Sequence, residues 1–281
     1  MLKVTYFGTT TLLFDDGRDQ VLFDAHVTRP SLFKYVRGIK TSTDTSLCDK
    51  IISKHHRDRL RAIFISHTHH DHVMDAPYIA NKCGAVIYGS ESAKNVALGG
   101  GVPEDNIVVF SHGSSFAIGD YKVSILKSLH SKPTALNNDL GEPITEPLVQ
   151  PARLRDYKEG GSYDFYVEHG EKKILIRPSF NYIAGQLDGV KADVLFLGVA
   201  GLAKADPETE KAFFAETVEK VGAKLVIPIH WDNFFSPLDR PVEGMPGFIE
   251  KTQMVFYKAS GYCESHDVNF LIQYPCTSIE I

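Results

Sequence analysis

The chain has 281 residues, 43% hydrophobic and 23% charged, with a formal net charge of −5. That composition gives ample apolar material for a core and excludes a low-complexity or intrinsically disordered chain. No long Lys/Arg run supplies the basic face that nucleic-acid binding usually needs, and no apolar run is long enough to span a bilayer.

The length fits one large α/β domain over residues 1–281. Met1–Phe7 enters a strand-like pattern directly, without the charged and apolar regions of a secretory signal, so a cytoplasmic location is expected. Cys48, Cys83, Cys263 and Cys276 show no C-x-x-C spacing and are expected as free thiols.

Residues 2–24 read as strands, with Thr10–Phe14 and Gln20–Phe23 joined by the hairpin signal Asp15-Asp16-Gly17-Arg18-Asp19. Asp24 ends the second run. A polar connection then reaches Arg59, with a short helix expected near Ser46–Lys54. His55 and His56, flanked by charges of both signs, read as solvated. Arg61–Ile65 is an apolar run expected as a buried strand. Val73–Ala80 opens a helix that stops near Cys83 at Gly84. Next come a strand at Ala85–Tyr88, a helix at Ser90–Ala97, and strands at Ile107–Phe110 and Tyr121–Lys127. Leu98–Gly101 is a turn that lacks the lysine of a phosphate loop, and His112 reads as a turn histidine. The proline-studded stretch His130–Gly161 has little periodicity. A loop of that length reads as functional, here a rim or lid over the strand ends. Asp164–His169 and Lys172–Arg177 form a hairpin, and Asp193–Leu197 is a buried strand. Asp206-Pro207-Glu208 supplies a cap, a first-turn proline and an acidic first turn for a helix ending at Gly222. Lys224–Ile229 is a strand, Gly247–Ser260 a last helix capped by Gly261, and Val268–Gln273 a final strand. This order predicts two sheets packed face to face with helices outside.

The chemistry concentrates in Ser66-His67-Thr68-His69-His70-Asp71-His72, where four of the six residues from His67 are imidazoles and a fifth is a carboxylate. The run follows a buried strand, where α/β folds usually place their sites. Residues two apart in an extended segment point the same way, so His67 and His69 can share one metal. Asp71 and His72 lie at the turn into the helix and can face the same space. A histidine tag or low-complexity tract would sit at a terminus and lack the strand. His130 follows the strand Tyr121–Lys127, and His230 follows Lys224–Ile229. One lone histidine is more often a packing or surface residue. Three strand-end placements in one chain turn the reading toward metal ligands.

His67-Thr68-His69-His70-Asp71-His72 is similar to the H-x-H-x-D-H signature of the metallo-β-lactamase-fold superfamily, and the resemblance runs over essentially the whole chain. Met1–Asp24 resembles that family's opening strands, His130 its third histidine and His230 its late one. The chain looks closest to the bacterial metal-dependent hydrolase branch that includes ascorbate-6-phosphate lactonase-like proteins. Phospholipase-D-type enzymes acting on N-acyl ethanolamine phospholipids look like more distant relatives. The resemblance implies a four-layer αββα sandwich of the α/β class, with metals at one edge of the two sheets. It implies that His67, His69 and His130 hold a first metal, and Asp71, His72 and His230 a second. Zinc, as one or two ions, is expected, with manganese or iron as alternatives. Two such ions about 3.5–4 Å apart can bridge a hydroxide and clamp the attacked group. Coordination lowers the pKa of water toward roughly 7, and Asp71 can accept the proton or orient the hydroxide.

The chain departs from that family at one place. Most two-metal members carry a bridging aspartate after the strand corresponding to Lys172–Arg177. Here Ile174-Leu175-Ile176-Arg177-Pro178-Ser179-Phe180-Asn181 has none, and Ser179 stands at the aspartate's place. A neutral hydroxyl bridges dications poorly, which leaves the number of metals open between one and two. Asp24, Asp75 and Asp232 are candidates for orienting a ligand histidine or for capping a turn. His26 is a lesser candidate for the pocket, and Trp231 and Tyr182 read as core or pocket wall.

The expected activity is that of a metal-dependent hydrolase using metal-bound hydroxide on an ester, lactone or phosphodiester of a small, anionic substrate. The alternatives are a non-catalytic metal-binding or ligand-sensing protein of the same fold, and a phospholipase-D-like phosphodiesterase. His69 stands where redox di-iron members typically carry glutamate, which disfavours a redox role. An RNA-processing nuclease needs the bridging aspartate and an RNA-binding arm, and neither is visible. The expected partner is a small molecule, with no nucleic acid and no membrane span; a homo-oligomer is left open.

Overall fold

A computed structural model describes residues 1–133 and 138–281. Six strands come first: β1 (Lys3–Gly8), β2 (Thr11–Asp15), β3 (Gln20–Phe23), β4 (Leu60–Phe64), β5 (Val86–Gly89) and β6 (Ile107–Val109). Eight follow: β7 (Ser115–Ile118), β8 (Tyr121–Lys127), β9 (Tyr163–His169), β10 (Lys172–Arg177), β11 (Val194–Gly198), β12 (Leu225–Ile229), β13 (Asn269–Phe270) and β14 (Thr277–Glu280). The α-helices are α1 (Leu32–Arg37), α2 (Thr45–Ile52), α3 (His70–Val73), α4 (Ala76–Cys83), α5 (Glu91–Gly99), α6 (Pro207–Phe214) and α7 (Thr252–Ser265).

Hydrogen bonding sorts the strands into two seven-stranded sheets, β14-β1-β2-β3-β4-β5-β6 and β13-β12-β11-β10-β9-β8-β7. Each begins as an antiparallel meander and ends as a parallel run, from β3 to β6 and from β10 to β13. Parallel neighbours need crossover connections, which here carry helices except between β10 and β11, where residues 178–193 form turns. Side chains alternate as the pleat requires. Val4, Tyr6, Leu12, Phe14, Val21, Phe23 and Phe64 enter one core together with Phe165, Val167 and Phe196 of the other sheet. Phe7, Leu13, Leu22 and Ile63, one residue out of phase, join a second core with Leu47, Ile79 and Val96 of α2, α4 and α5. Phe23 and Phe64 meet Phe165 across the sheets at 5.3 and 5.8 Å between ring centres. Burying each such ring stabilises the sandwich by about 1.5–3 kcal/mol. Phe213 and Phe214 of α6, with Val255, Ala259 and Cys263 of α7, pack on the second sheet. The layers are therefore helix, sheet, sheet, helix.

The structure corrects several elements. The last helix does not span Gly247–Ser260 with Gly261 as cap; it runs from Thr252 to Ser265 through Gly261. The Pro246 carbonyl takes the N–H groups of Ile249 and Glu250 in a turn before it. Val255, Ala259 and Cys263, four apart, are buried, which outweighs the cost of about 1 kcal/mol for a helical glycine. The final strand shrinks from Val268–Gln273 to Asn269–Phe270, and β14 pairs antiparallel with β1. No pattern had singled out α1, β7 or β14. The helix beginning at Pro207 changes to π geometry over Ala215–Glu219. His55 is not solvated: it is half-buried, with its ring edge against Phe7 at 5.1 Å. Residues 134–137 of the stretch expected as a rim or lid lie outside the described residues. Among the described residues no helix is long and apolar enough to cross a membrane, and Cys48, Cys83, Cys263 and Cys276 are free.

Candidate metal centre

The sheets' common edge collects the ends of β1, β3, β4, β8 and β12. The chain leaves β4 and stays extended to His69 (φ −61°, ψ 151°), which is the N-cap of α3. His67 and His69 thus precede the helix, whereas Asp71 and His72 belong to its first turn. His130 arrives from the end of β8. His230 follows β12 in the left-handed region (φ 62°), with its N–H donated to the Thr9 carbonyl at 2.5 Å.

Two groups of donor atoms result. His67, His69 and His130 each offer a nitrogen within 4.8 Å of the others, and so do the donor atoms of Asp71, His72 and His230. The groups adjoin: the His67 and His72 rings are 3.7 Å apart, centre to centre. His69 and His130 lie at 4.7 Å, and His72 and His230 at 5.4 Å. Asp71 Oδ2 sits 3.6 Å from His72 Nε2 and 3.4 Å from His230 Nε2. Among the described residues the two groups share no carboxylate. Ser179 is buried two residues beyond β10, and its carbonyl takes the N–H of Asn181 at 3.0 Å.

The supporting residues divide by what they touch. Asp24, buried at the end of β3, accepts at Oδ2 from His72 Nδ1 (2.8 Å), Ser66 Oγ (2.7 Å) and Thr10 Oγ1 (2.5 Å), and at Oδ1 from the Ser66 N–H (2.7 Å). It thereby turns His72 Nε2 toward Asp71. His130 Nδ1–H donates to the Ser131 carbonyl at 2.9 Å. Asp139 Oδ1 lies 3.0 Å from His69 Nε2. Asp232 touches no ligand imidazole in this way. It accepts from Tyr6 Oη and the Thr9 N–H, both at 2.7 Å, and pairs with Arg29 at 2.7 Å, both side chains fully buried. Asp232 therefore acts on His230 through Thr9. Asp75 holds the N–H groups of Val27 and Thr28, a loop-pinning role. His26 belongs to neither group; its ring lies 5.8 Å from that of His70. Trp231 packs on Phe256 at 5.3 Å and is a core residue, and Tyr182 is half-buried, its N–H on Asn181 Oδ1.

Sequence reasoning missed Asp139, Thr10 and Arg29. Asp139 sits in a stretch without periodicity and carried no signal. Thr9-Thr10-Thr11 did carry one: three hydroxyls between two apolar strands, all buried.

Burial, then neighbouring imidazoles, pushes His67 well below its ordinary value. Burial followed by His69 pushes His130 down to about 3, and burial takes His70 down to about 4. Burial alone raises the Asp71 carboxyl, but His72, His230 and His70 outweigh it and hold Asp71 well below the carboxylate range. His230 is pushed up, because its contact with Asp71 overcomes burial. At His67 and His130 the neutral imidazole, and at Asp71 the ionised carboxylate, are the protonation states that metal ligation requires, whereas His230 would have to give up a proton to ligate. His67 Nε2 and His230 Nδ1 are also buried without a hydrogen-bond partner. An orphaned buried nitrogen costs about 1–3 kcal/mol; a cation among the His67–His69–His130 donors would satisfy that of His67, whereas His230 turns its other nitrogen, Nε2, toward Asp71. The donor set fits a divalent metal.

Comparison with known proteins agrees. The β-lactamase superfamily domain matches residues 21–231. A Myxococcus xanthus protein named UPF0173 metal-dependent hydrolase is 28% identical over 182 residues, 63% of this chain and 57% of that protein. A namesake from Chloroflexus aurantiacus is 25% identical over 179 residues, 63% of this chain and 67% of its own length. The aligned stretch thus spans little more than half of the Myxococcus relative. The crystal structure of the metallo-β-lactamase fold protein YhfI from Bacillus subtilis superposes over 100% of both chains with a TM-score of 0.61 at 14% identity. Match, sandwich and strand-edge histidines coincide: the chain belongs to the metallo-β-lactamase-fold superfamily.

Proposed function

We propose that the chain is a metal-dependent hydrolase acting on an ester, lactone or phosphodiester bond of a small anionic substrate. His67, His69 and His130 hold one divalent cation, and Asp71, His72 and His230 a second. Relatives from Myxococcus and Chloroflexus bear the description metal-dependent hydrolase. The observation that carries the reading is the meeting of two donor triads through His67 and His72, 3.7 Å apart. Nitrogen-rich donors with one carboxylate suit zinc, with manganese or iron as alternatives.

A divalent cation held there supplies Lewis acidity and acidifies a coordinated water. The remaining work falls to the chain's own side chains. Asp71, kept ionised by three histidines, accepts the proton of the attacking water and fixes its direction. Asp24 and the Ser131 carbonyl hold His72 and His130 in the tautomer that points Nε2 inward. Asp24 accepts from an imidazole, two hydroxyls and a backbone N–H, and Asp139 lies against His69 with Lys158 acting on it at longer range. With Asp71 they supply the negative charge that two dications need when Ser179 replaces a bridging aspartate.

Elemental analysis of the native protein, beside turnover of a panel of carboxylic esters, lactones and phosphodiesters, tests the reading. Bound metal is expected in the wild type. Asp71→Asn is expected to cut turnover about 10²–10⁴-fold, the range for a general base. A wild-type protein that holds no metal as isolated and takes up neither zinc, manganese nor iron would end the proposal.

A further inference from the structure

A second buried ion pair stands near the other distant ligand. Arg177, the last residue of β10, faces Asp164 of β9, as the register Ile176↔Phe165 dictates. Arg177 Nη1 and Asp164 Oδ2 are 3.0 Å apart, with both side chains 1% exposed. A buried pair of this kind adds little stability, because desolvating two charges offsets their attraction. The pair's other contacts lead toward the site. Arg177 Nη2 donates to the Asn181 carbonyl at 2.7 Å. Asn181 Nδ2 donates to the His130 carbonyl at 2.7 Å. The Phe180 N–H donates to Ser131 Oγ at 3.1 Å, and the Ser131 carbonyl holds His130 Nδ1. Residues 178–181, where a bridging aspartate would be looked for, instead clasp His130 and Ser131 at two points.

We propose that the Arg177–Asp164 pair is a positioning element for His130, acting through the Asn181 amide. This rests on His130 being a metal ligand. Arg177 fixes the turn after β10, the turn fixes the Asn181 side chain, and Asn181 fixes the backbone from which the His130 ring projects. A planar guanidinium suits the task, because its donors can meet a carboxylate and a carbonyl at once in fixed directions. The same logic explains a charged pair where two apolar residues would pack as well.

The test uses two variants of the full chain. Asn181→Ala cuts the last link and leaves the ion pair intact. Arg177→Met combined with Asp164→Leu removes both charges at similar volume, and its metal-free unfolding midpoint is expected to equal or exceed that of the wild type. Two readouts separate positioning from stability. The first is imidazole ¹⁵N NMR of the metal-free protein, which reports the His130 tautomer. Both variants are expected to lose the single Nδ1–H form. The second is zinc affinity by chelator competition. One equivalent is expected to weaken about 10–100-fold, as for other residues that orient metal ligands, while the other equivalent stays native. If the double variant does not fold, Asn181→Ala decides alone. A native His130 tautomer with native zinc affinity overturns the inference, whatever happens to stability. A wild type that binds neither zinc, manganese nor iron instead ends the metal reading, and the His130 tautomer then decides the positioning role.

Discussion

Asp24→Asn isolates one atom of the centre. Asp24 lies in the left-handed region (φ 52°), which asparagine tolerates, so backbone and volume are kept. The amide oxygen can still accept from the Ser66 N–H. The new NH₂ faces Thr10 Oγ1, Ser66 Oγ and His72 Nδ1, at 2.5, 2.7 and 2.8 Å from the atom it replaces. Both hydroxyls can rotate to accept, whereas the His72 Nδ1–H cannot. The imidazole then either turns its Nδ1–H onto Thr10 Oγ1, 2.9 Å away, or shifts its proton to Nε2, the nitrogen that faces Asp71 at 3.6 Å. Folding loses one hydrogen bond to a charged group, about 1.5–3 kcal/mol. Binding loses a comparable amount: a turned ring or a misplaced proton at His72 is expected to weaken zinc at the Asp71–His72–His230 group about 10–100-fold, the usual effect of removing a ligand's orienting partner. Denaturant unfolding of the metal-free variant gives the first quantity, chelator competition the second, and ¹⁵N NMR of His72 the tautomer. Native zinc affinity with His72 still protonated at Nδ1 would refute the assignment of Asp24 as its orienting partner.

Two further outcomes follow from the site's foundations. A Cβ at Gly8 (φ +91°) would lie 1.8 Å from Arg29 Nη2 and 2.5 Å from Asp232 Oδ2, so Gly8→Ala must part a fully buried ion pair. Denaturant unfolding is expected to register a loss of about 3–5 kcal/mol, the range for breaking such a pair; a loss below 1 kcal/mol would mean that the pair is not formed. The metal-free protein is also expected to lose stability on acidification. Folded His67 and His26 lie well below their ordinary value, His70 at about 4 and His130 at about 3, while each unfolds to about 6.5. Between those values the unfolded chain binds more protons, so stability is present above about pH 6.5 and is lost as pH falls. His55, also pushed down by burial, adds to the four; His230, pushed up by Asp71, works oppositely, its contribution lost as pH rises through its folded pKa, as do the carboxyls of Asp75, Asp164 and Glu250, which burial raises. Unfolding midpoints at about pH 5 and pH 7.5 compare the two, and equal midpoints would contradict the neutral-imidazole description.

The legible parts of the fold were those where local chemistry and tertiary burial agree. Asp206-Pro207 caps α6 through the Thr209 N–H at 2.9 Å, and Gly84 closes α4 in the left-handed region. The two-sheet plan followed from alternation and from the order of elements. What failed was set by distant partners. β14 carries no periodic signal because only one of its four residues is even half-buried, and it exists through pairing with β1 some 270 positions away. α7 ignores Gly261 because Ala259 and Cys263 find a core that the local sequence does not reveal. His55 looked solvated from its charged neighbours, yet Phe7 covers it.

The site divides the same way. Each of its histidines stands at the end of an apolar run, and an apolar run ending in a polar residue is visible one segment at a time. Hydrogen-bond direction is not. Asp24 and Asp232 looked alike in sequence, each an aspartate just beyond a strand with a histidine two positions away, His26 and His230. The structure separates them by what reaches each carboxylate. An imidazole from α3 arrives at Asp24, whereas Arg29 and the Thr9 N–H arrive at Asp232. One carboxylate therefore sets the proton position on His72 and the other sets a backbone, and only the chain's long-range pairing decides which is which. The same holds for the residue that never appeared. Ser179 stands where the family resemblance leads one to expect a carboxylate, and Asp139, seventy positions from His69 and without any motif around it, places one 3.0 Å from His69 Nε2. Counting ligands by motif alone undercounts the charge at a centre whose outer carboxylates come from loops.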